Sequence, residues 1–208
     1  MKNLIIFSSL ALVFVACGTE PSQKDGSVAD MQSYQLTSNS TSPQNLDFES
    51  GFGDNGKPKF WSGWGPGYEI TAEDQNVYQG HGAGQITAQK PVDFGTMTQC
   101  FDPTDFRGKR VMYSGNLNAS KIHRGWGGLW MRVDGKEKKV LAFDNMQDRG
   151  LVGTIPWAKY NIVLDVSKEA TKICFGFLLS GGHHGTLFAD ELSFSIVDTD
   201  TPTTGSAK

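Results

Sequence analysis

The stretch Gly128–Leu–Trp–Met–Arg–Val133 decides the fold, because its side chains alternate in character with a period of two. The odd-numbered residues are all apolar and share one side of an extended chain, whereas Trp130 and Arg132 share the other side. A helix would instead repeat its apolar residues every three to four positions. The alternation therefore predicts a β-strand whose odd-numbered face fills a core.

The same period recurs along most of the chain and predicts about nine strands. The longer predicted strands are Arg110–Leu117, Gly128–Val133, Tyr160–Val166, Ile173–Leu179 and Phe188–Val197, and the shorter ones are Asn45–Phe48, Gly84–Ala88, Thr96–Phe101 and Val140–Phe143. The 25 glycines favour tight turns between strands over a helical bundle. Short strands with one apolar face each predict an all-β fold, an antiparallel β-sandwich of two sheets.

The N-terminus has the pattern of an export signal. A basic start at residues 1–3 precedes an apolar run from Leu4 to Val15, which is too short to cross a bilayer as a mature helix. Ala16–Cys17–Gly18 follows, and the whole segment resembles the signal of a bacterial lipoprotein. The resemblance implies a signal peptide over residues 1–16 and lipidation (palmitate) of Cys17.

Composition divides the rest of the chain. Residues 17–44 are rich in Ser, Thr, Asn and Gln and predict a flexible tether, residues 45–198 hold the sandwich, and residues 199–208 predict a disordered tail. A formal net charge of −3 gives no basic surface for nucleic acid. We expect a monomer in the cell envelope that contacts the membrane only through its lipid anchor. Since Gly18 is not acidic, we expect the outer rather than the inner membrane.

Two cysteines remain besides Cys17. Cys100 and Cys174 lie in predicted strands, and an oxidising compartment permits them to pair. Disulfide geometry is strict, and the sequence does not place the two strands side by side. A disulfide and two separate thiols therefore both remain open.

Four short motifs, in their order along the chain, resemble the jelly-roll carbohydrate-binding modules of the galactose-binding-like class. They are Asn45–Leu–Asp–Phe–Glu49, Trp61 with Trp64, Val77–Tyr–Gln–Gly–His81 and Ala189–Asp–Glu–Leu192. The resemblance covers roughly residues 45–197 and implies a jelly roll. It also implies a structural Ca²⁺ held by Glu49 and Asp190 with backbone carbonyls. The alternative is that both carboxylates are solvated or hydrogen-bonded at strand ends.

A second resemblance is to an uncharacterised accessory module that is appended to bacterial regulators and hydrolases. It rests on five segments, Phe94–Thr96, Phe106–Arg110, Gly125–Val133, Leu141–Arg149 and Phe175–Gly181. This resemblance supports the predicted fold and implies no particular ligand.

Aromatic residues on the non-core side of the central strand are the first candidate binding group. Trp126 and Trp130 are four residues apart in an extended segment and therefore share a face with Arg132. Indole rings beside a cation suit a sugar, whose C–H face stacks on the ring. Trp64, in a loop rich in Gly and Pro, is a further candidate at the rim. The alternative is a second layer of packing.

A polar segment after Phe143 is the second candidate. Asp144, Asn145, Asp148 and Arg149 either contact the ligand or form a structural hydrogen-bonded network, because burying them unpaired is costly. Asp144 and Asp148 also allow a third interpretation, the paired carboxylates of a glycosidase.

These observations predict a non-catalytic glycan-binding lipoprotein of the cell envelope. The sequence has none of the common motifs for a serine nucleophile, a zinc protease or a phosphate loop, and it implies no organic cofactor. The first alternative is a structural lipoprotein that binds another envelope component. The second is a small glycan hydrolase built on Asp144 and Asp148.

Overall fold

The computed structural model describes residues 40–54 and 56–207, and only the backbone of residues 182, 183, 206 and 207. Strands make up 59% of the fold and helical turns 6%, so the all-β prediction is confirmed. The predicted signal peptide, Cys17 and most of the predicted tether lie outside the described residues. The strands are β1 (Ser62–Trp64), β2 (Tyr68–Glu73), β3 (Ala83–Ala88), β4 (Phe94–Phe101), β5 (Lys109–Asp134), β6 (Val140–Asp144), β7 (Leu151–Val166), β8 (Lys172–Val197) and β9 (Ser206–Ala207).

Two long strands, β5 and β8, pass from one layer of the sandwich to the other. The first half of β8 pairs with β4 and its second half pairs with β3. The first half of β5 pairs with β7, and its second half pairs with β6. The first sheet therefore runs β1-β4-β8-β5-β6-β9, and the second runs β2-β3-β8-β5-β7.

The chain changes layers where the pairing between β5 and β8 shifts register. Two of its three shifts lie between Ser120 and Gly125, where Lys121 and Arg124 adopt positive φ angles of 55° and 56°. Gly185 on β8 has a φ of 132°. A Cβ atom added to this residue would lie only 2.8 Å from the carbonyl oxygen of Lys121. Irregular residues of this kind bend a strand pair and increase its twist.

The core fills the space between the two sheets. Tyr113 of the second sheet packs its ring 5.2 Å from that of Phe175 of the first and donates a hydrogen bond to the carbonyl of Gly176 at 3.1 Å. Leu129, Met131 and Val133 are fully buried in the same core, as their alternation predicted. Face-to-face burial of two sheets confirms the predicted antiparallel β-sandwich.

Two predicted strand features are wrong. The segment Asn45–Phe48 forms turns, because Asn45 and Phe48 have φ angles of 48° and 60° that do not fit an extended strand. Phe188 and Leu192 were predicted on one face, but Glu191 between them has a φ of 49° and resets the alternation. Leu192 consequently joins the core while Phe188 faces outward.

Both ends of the predicted sandwich extend further than expected. Thr204 donates its backbone N–H to the carbonyl of Val163 at 2.9 Å, and β9 pairs with β6, so the predicted disordered tail is wrong for the described part. Before the sandwich, Ser40 accepts a backbone hydrogen bond from Asp102 at 3.0 Å. Within residues 40–54 and 56–207, no helix is long and apolar enough to cross a membrane.

Cys100 and Cys174 form a disulfide bond. The two residues are direct partners across β4 and β8, with Cα atoms 4.1 Å apart. The sequence had left the pairing open because it did not establish that these strands are neighbours.

Candidate functional site

The outer face of the first sheet carries a second, smaller apolar cluster. We call this surface the tryptophan face. Its buried members are Phe94, Cys100, Trp130, Cys174 and Leu178, with Trp126 and Phe143 packed against them. The period of two along β5 directs Trp126, Trp130 and Arg132 to this side, as predicted. Aromatic residues therefore lie together on a sheet surface that in most sandwiches faces solvent.

Trp130 is enclosed. It is only 3% exposed, and its Nε1–H donates to the hydroxyl of Thr96 on β4 at 2.8 Å. The Thr96 hydroxyl in turn donates to the carbonyl of Phe177 at 3.0 Å. Trp130 is thus a packing residue with a satisfied indole, which corrects the prediction that both Trp126 and Trp130 form an open platform.

Two other indoles keep accessible surface on this side. Trp64 is 36% exposed and packs its ring 5.1 Å from that of Phe94. Trp126 is half-buried and covers the backbone of Gly150, where an added Cβ would lie 2.8 Å from its ring. Strands β4 and β8 separate the strands that carry these two residues, which spaces them by roughly 14 Å across the sheet.

Arg132 does not offer its guanidinium to the surface. It pairs with Asp134, two residues along the same strand, through Nε–Oδ1 at 2.9 Å and Nη2–Oδ2 at 3.1 Å. Both side chains are buried, at 6% and 4% exposure. The predicted ligand contact by Arg132 is therefore replaced by a buried, two-pronged ion pair.

Asp144, which is buried, and Arg149, which is half-buried, form a second ion pair away from the tryptophan face. Asp144 lies opposite Met131, so its side chain belongs to the core side of the sheet. Arg149 donates two hydrogen bonds to the Asp144 carboxylate, from Nη2 to Oδ2 at 2.6 Å and from Nη1 to Oδ1 at 3.1 Å. The backbone N–H of Met146 also donates to Asp144 Oδ1, at 2.8 Å. For these two residues the geometry supports a structural hydrogen-bonded network rather than contact with a ligand.

Asn145 and Asp148 complete the same loop. The buried Asn145 accepts a hydrogen bond from the backbone N–H of Gln147 at 3.2 Å. The exposed Asp148 pairs only with Arg149, at 3.0 Å. Since the Asp144 carboxylate is occupied by Arg149 and Asp148 points to solvent, this segment does not present two carboxylates to one substrate.

Glu49 and Asp190 hold the loop between β2 and β3 from two sides. Asp190, which is fully buried, accepts hydrogen bonds on Oδ2 from the backbone N–H groups of Tyr78 and Gln79 at 3.0 and 3.1 Å. Glu49 accepts on Oε1 from His81 and Gly82 at 2.6 and 2.9 Å. We call this arrangement the carboxylate clamp. The resemblance had implied these two residues as joint ligands of a metal ion.

The clamp does not fit a calcium site in this arrangement. A calcium ion takes six to eight oxygen ligands, including carbonyls, whereas the loop here directs N–H donors at the two carboxylates. No group of three His, Cys, Asp or Glu residues suited to a metal occurs in the described part of the chain. Burial raises the pKa of the Asp190 carboxyl, against the effect of its three backbone hydrogen bonds. Calcium binding stays a prediction for experiment.

Sequence reasoning missed the groups that complete the tryptophan face. Thr96 is the acceptor for Trp130, Asp134 is the partner of Arg132, and Phe94 supports Trp64. The period of two already placed Asp134 on the same face as Arg132, so that pair was available from the sequence. The other two are on β4 and depend on where β4 lies in the sheet, which only the topology supplies.

Comparisons with known proteins agree with this fold. No protein-family model matches the chain. A curated relative, an uncharacterised HTH-type transcriptional regulator, YbfP, of Bacillus subtilis, is 37% identical over 140 residues, which are 66% of this chain and 46% of the regulator. The chain thus spans less than half the length of that relative, which fits a module appended to a regulator.

Solved structures with the same fold include carbohydrate-binding modules. One is the CBM22-1 xylan-binding domain of Paenibacillus barcinonensis Xyn10C, with a TM-score of 0.52 and 16% identity, covering 74% of this chain and 93% of that domain. Another is the C-terminal family 22 module of Clostridium thermocellum Xyn10B, with a TM-score of 0.50 and 15% identity, covering 75% and 93%. At such low identity the likeness establishes the β-sandwich and nothing finer.

Proposed function

We propose that this chain is a non-catalytic module that binds a glycan on the tryptophan face. The single observation that carries the proposal is the pair of accessible indoles, Trp64 and Trp126, on one sheet surface. Indole rings stack on the C–H face of a sugar ring and exclude water from it. The carbohydrate-binding modules that share the fold support the same class of ligand.

The enclosed residues of the face hold the two indoles in place. Trp130 is fixed by Thr96, and Arg132 is paired with Asp134, so an indole hydrogen bond and an ion pair hold the residues beside the two accessible indoles. A surface held in this way is pre-organised, and binding then requires little ordering of the protein. In this proposal Trp130 and Arg132 support the site, and Trp64 and Trp126 contact the sugar.

We place this binding in the cell envelope, with Cys17 lipidated and the module tethered outside the membrane. The support is the signal-like N-terminus, with its basic start, apolar run and Ala16–Cys17–Gly18 sequence. Labelling cells with a clickable palmitate analogue tests this part: the wild-type protein should incorporate it, and the Cys17→Ser variant should not. Equal labelling of both would contradict it.

Glycan arrays and pull-down on cell-wall polysaccharides test the binding itself, with the full chain. We expect Trp126→Ala and Trp64→Ala each to weaken binding about tenfold or more, as removal of a central aromatic contact does. The matched control is Trp157→Ala, since Trp157 is also a half-buried indole but lies on β7 of the second sheet.

Two results would overturn the proposal. One is equal binding by the wild type and by both tryptophan variants, and the other is the absence of binding to any saccharide. Co-purification of one envelope protein, lost in Trp126→Ala but not in Trp157→Ala, would replace the glycan by a protein partner on the same face.

A further inference from the structure

Beyond the tryptophan face, the sandwich has a positively charged cleft at one end. Its volume is about 770 Å³, and we call it the basic cleft. Four cationic and two anionic residues line it, together with Leu141: Arg107, Lys136, Lys139, Lys168, Glu137 and Glu169. This excess of positive charge stands out in a chain whose formal net charge is −3.

Three loops build the basic cleft, and hydrogen bonds join them. Thr171, in the turn before β8, donates its backbone N–H to the carbonyl of Asp134 at 2.8 Å, which fixes that turn to the β5–β6 hairpin. Arg107 donates its Nε–H to the carbonyl of Ala170 at 2.7 Å, which fixes the loop before β5 to the same turn. The cleft therefore has fixed walls.

The lysines of the cleft are available to a ligand, whereas its arginine is not. Arg107 is engaged by Asp102 at 3.0 Å and has a wall-building role. Lys136, Lys139 and Lys168 are exposed, and none of them takes part in the ion pairs found among residues 40–54 and 56–207. Three ammonium groups around one concave space attract an anion, and the attraction weakens as salt screens it.

We propose that the basic cleft binds the carboxylate groups of an acidic polysaccharide, such as one containing uronic acids. The choice of a sugar over a phospholipid surface follows from the mixed lining. Glu137 and Glu169 accept hydrogen bonds from hydroxyls and repel a dense array of phosphates, and Leu141 suits the apolar side of a sugar ring. The identification of the ligand as a polysaccharide rests on the proposed function, whereas the attraction of the cleft for an anion does not.

Position in the fold links the cleft to the tryptophan face. Gly135 and Lys136 directly follow Asp134, the last residue of β5, and β5 also carries Trp126 and Trp130. Leu141 of the cleft packs against the main core, whereas Phe143, two residues further along β6, belongs to the tryptophan face. The basic cleft therefore begins where β5 ends, next to the ion pair of Arg132 and Asp134.

Calorimetric titration with tetragalacturonate and with a neutral galacto-oligosaccharide of equal length tests the proposal on the full chain. We expect tetragalacturonate to bind at low salt, to bind less at physiological salt, and to lose about fivefold to tenfold in affinity in the Lys136→Gln/Lys139→Gln variant. The matched control, Lys90→Gln/Lys159→Gln, removes the same charge from exposed lysines elsewhere and should bind as the wild type does.

The variants separate this proposal from the previous one. Binding of tetragalacturonate that survives Trp64→Ala and Trp126→Ala supports the basic cleft even if neutral glycans fail to bind. Absence of tetragalacturonate binding at low salt, or an equal loss in both lysine double variants, overturns it. Sedimentation with phosphatidylcholine vesicles containing phosphatidylglycerol tests the membrane as an alternative ligand. Vesicle binding that requires Lys136 and Lys139, without binding of tetragalacturonate, would assign the cleft to a membrane surface and overturn the proposal of a polysaccharide.

Discussion

The outer faces of the two sheets have the same alternating backbone but differ in chemistry. The tryptophan face buries Phe94, Trp130 and Leu178 and holds a buried ion pair. The outer face of the second sheet carries an aromatic contact between Trp157 and Phe188, and elsewhere it pairs small polar groups. Thr87 and Thr186 bring their hydroxyl oxygens within 3.0 Å, and Ser114 and Ser193 within 2.9 Å; we call this surface the hydroxyl face.

The contrast teaches that strand register alone does not decide how much a sheet surface contributes to the stability of the fold. Outward residues on the tryptophan face remove apolar area from water and enclose polar groups, which makes each of them costly to change. The half-buried hydroxyls of Thr87 and Thr186 on the hydroxyl face exchange one hydrogen bond for another with water at little net cost. Substitutions on the two faces should therefore differ in stability by several kcal/mol.

The largest effect should come from the disulfide beneath the tryptophan face. Cys100 and Cys174 are separated by 74 positions, so the bond closes a long loop in the unfolded chain. We expect the Cys100→Ser/Cys174→Ser double variant to lose about 4 kcal/mol in free energy of unfolding. Urea unfolding measures this. A loss below about 1 kcal/mol would show that the neighbouring strands hold the face without the bond.

Breaking the buried ion pair should have the next largest effect. Arg132→Ala leaves the Asp134 carboxylate buried without its partner, and we expect a loss of about 3 kcal/mol. The double variant Arg132→Met/Asp134→Leu removes both charges and should recover most of that loss, because well-packed apolar residues replace such pairs readily. Urea unfolding of the three proteins tests this, and equal losses in the single and double variants would count against it.

Much of this fold was predictable because its strands carry a clear period of two. The core side of β5, with Leu129 and Met131, followed directly from the alternation. What the sequence did not supply was the change of layer within β5 and β8, since irregular residues such as Lys121 and Arg124 bend the strand pair without a strong sequence signal.

The candidate site was predictable only in part. The alternation gave the side to which Trp126, Trp130 and Arg132 point, but not their neighbours on other strands. Thr96 encloses Trp130 from β4, and the pairing of β4 with β8 joins residues as distant in sequence as Cys100 and Cys174, 74 positions apart. Accessibility of an indole is a property of such distant contacts, so Trp130 and Trp126 were indistinguishable in the sequence.

The hydrogen bond from Trp130 gives a smaller effect on the same face. Thr96→Val keeps the side-chain shape but removes the acceptor of the buried indole N–H. A buried donor without a partner costs about 1–3 kcal/mol, so we expect a loss of about 2 kcal/mol in the free energy of unfolding. Tryptophan fluorescence should also change, because the environment of the indole changes, and an unaltered spectrum with unaltered stability would contradict this role.

The carboxylate clamp gives a pH-dependent effect. Burial raises the pKa of Asp190 in the folded protein above its usual value of 3.8, so the folded state holds that proton more tightly than the unfolded state does. The resulting stabilisation is complete below pH 3.8 and is lost as the pH rises through the folded-state pKa. The stability of the wild type relative to Asp190→Asn should fall over this range, by at most about 1.4 kcal/mol per pH unit.

Calcium provides the control for the clamp. If N–H groups satisfy Glu49 and Asp190, neither EDTA nor millimolar calcium should move the melting temperature. A ligand that binds only the folded protein raises that temperature as its concentration rises. A calcium-dependent rise that Glu49→Gln abolishes would therefore establish the calcium site predicted from the sequence.

The smallest effect should come from the hydroxyl face, and it completes the comparison. Thr186→Val is the same chemical change as Thr96→Val, in a strand of the same sandwich. Its partner Thr87 is only half-buried, so water can replace the lost hydrogen bond, and we expect a change within about 0.5 kcal/mol. Urea unfolding of Thr96→Val and Thr186→Val under the same conditions measures the two losses in free energy of unfolding. Equal losses would mean that the two faces are energetically alike, and that enclosure of the tryptophan face contributes nothing particular to the fold.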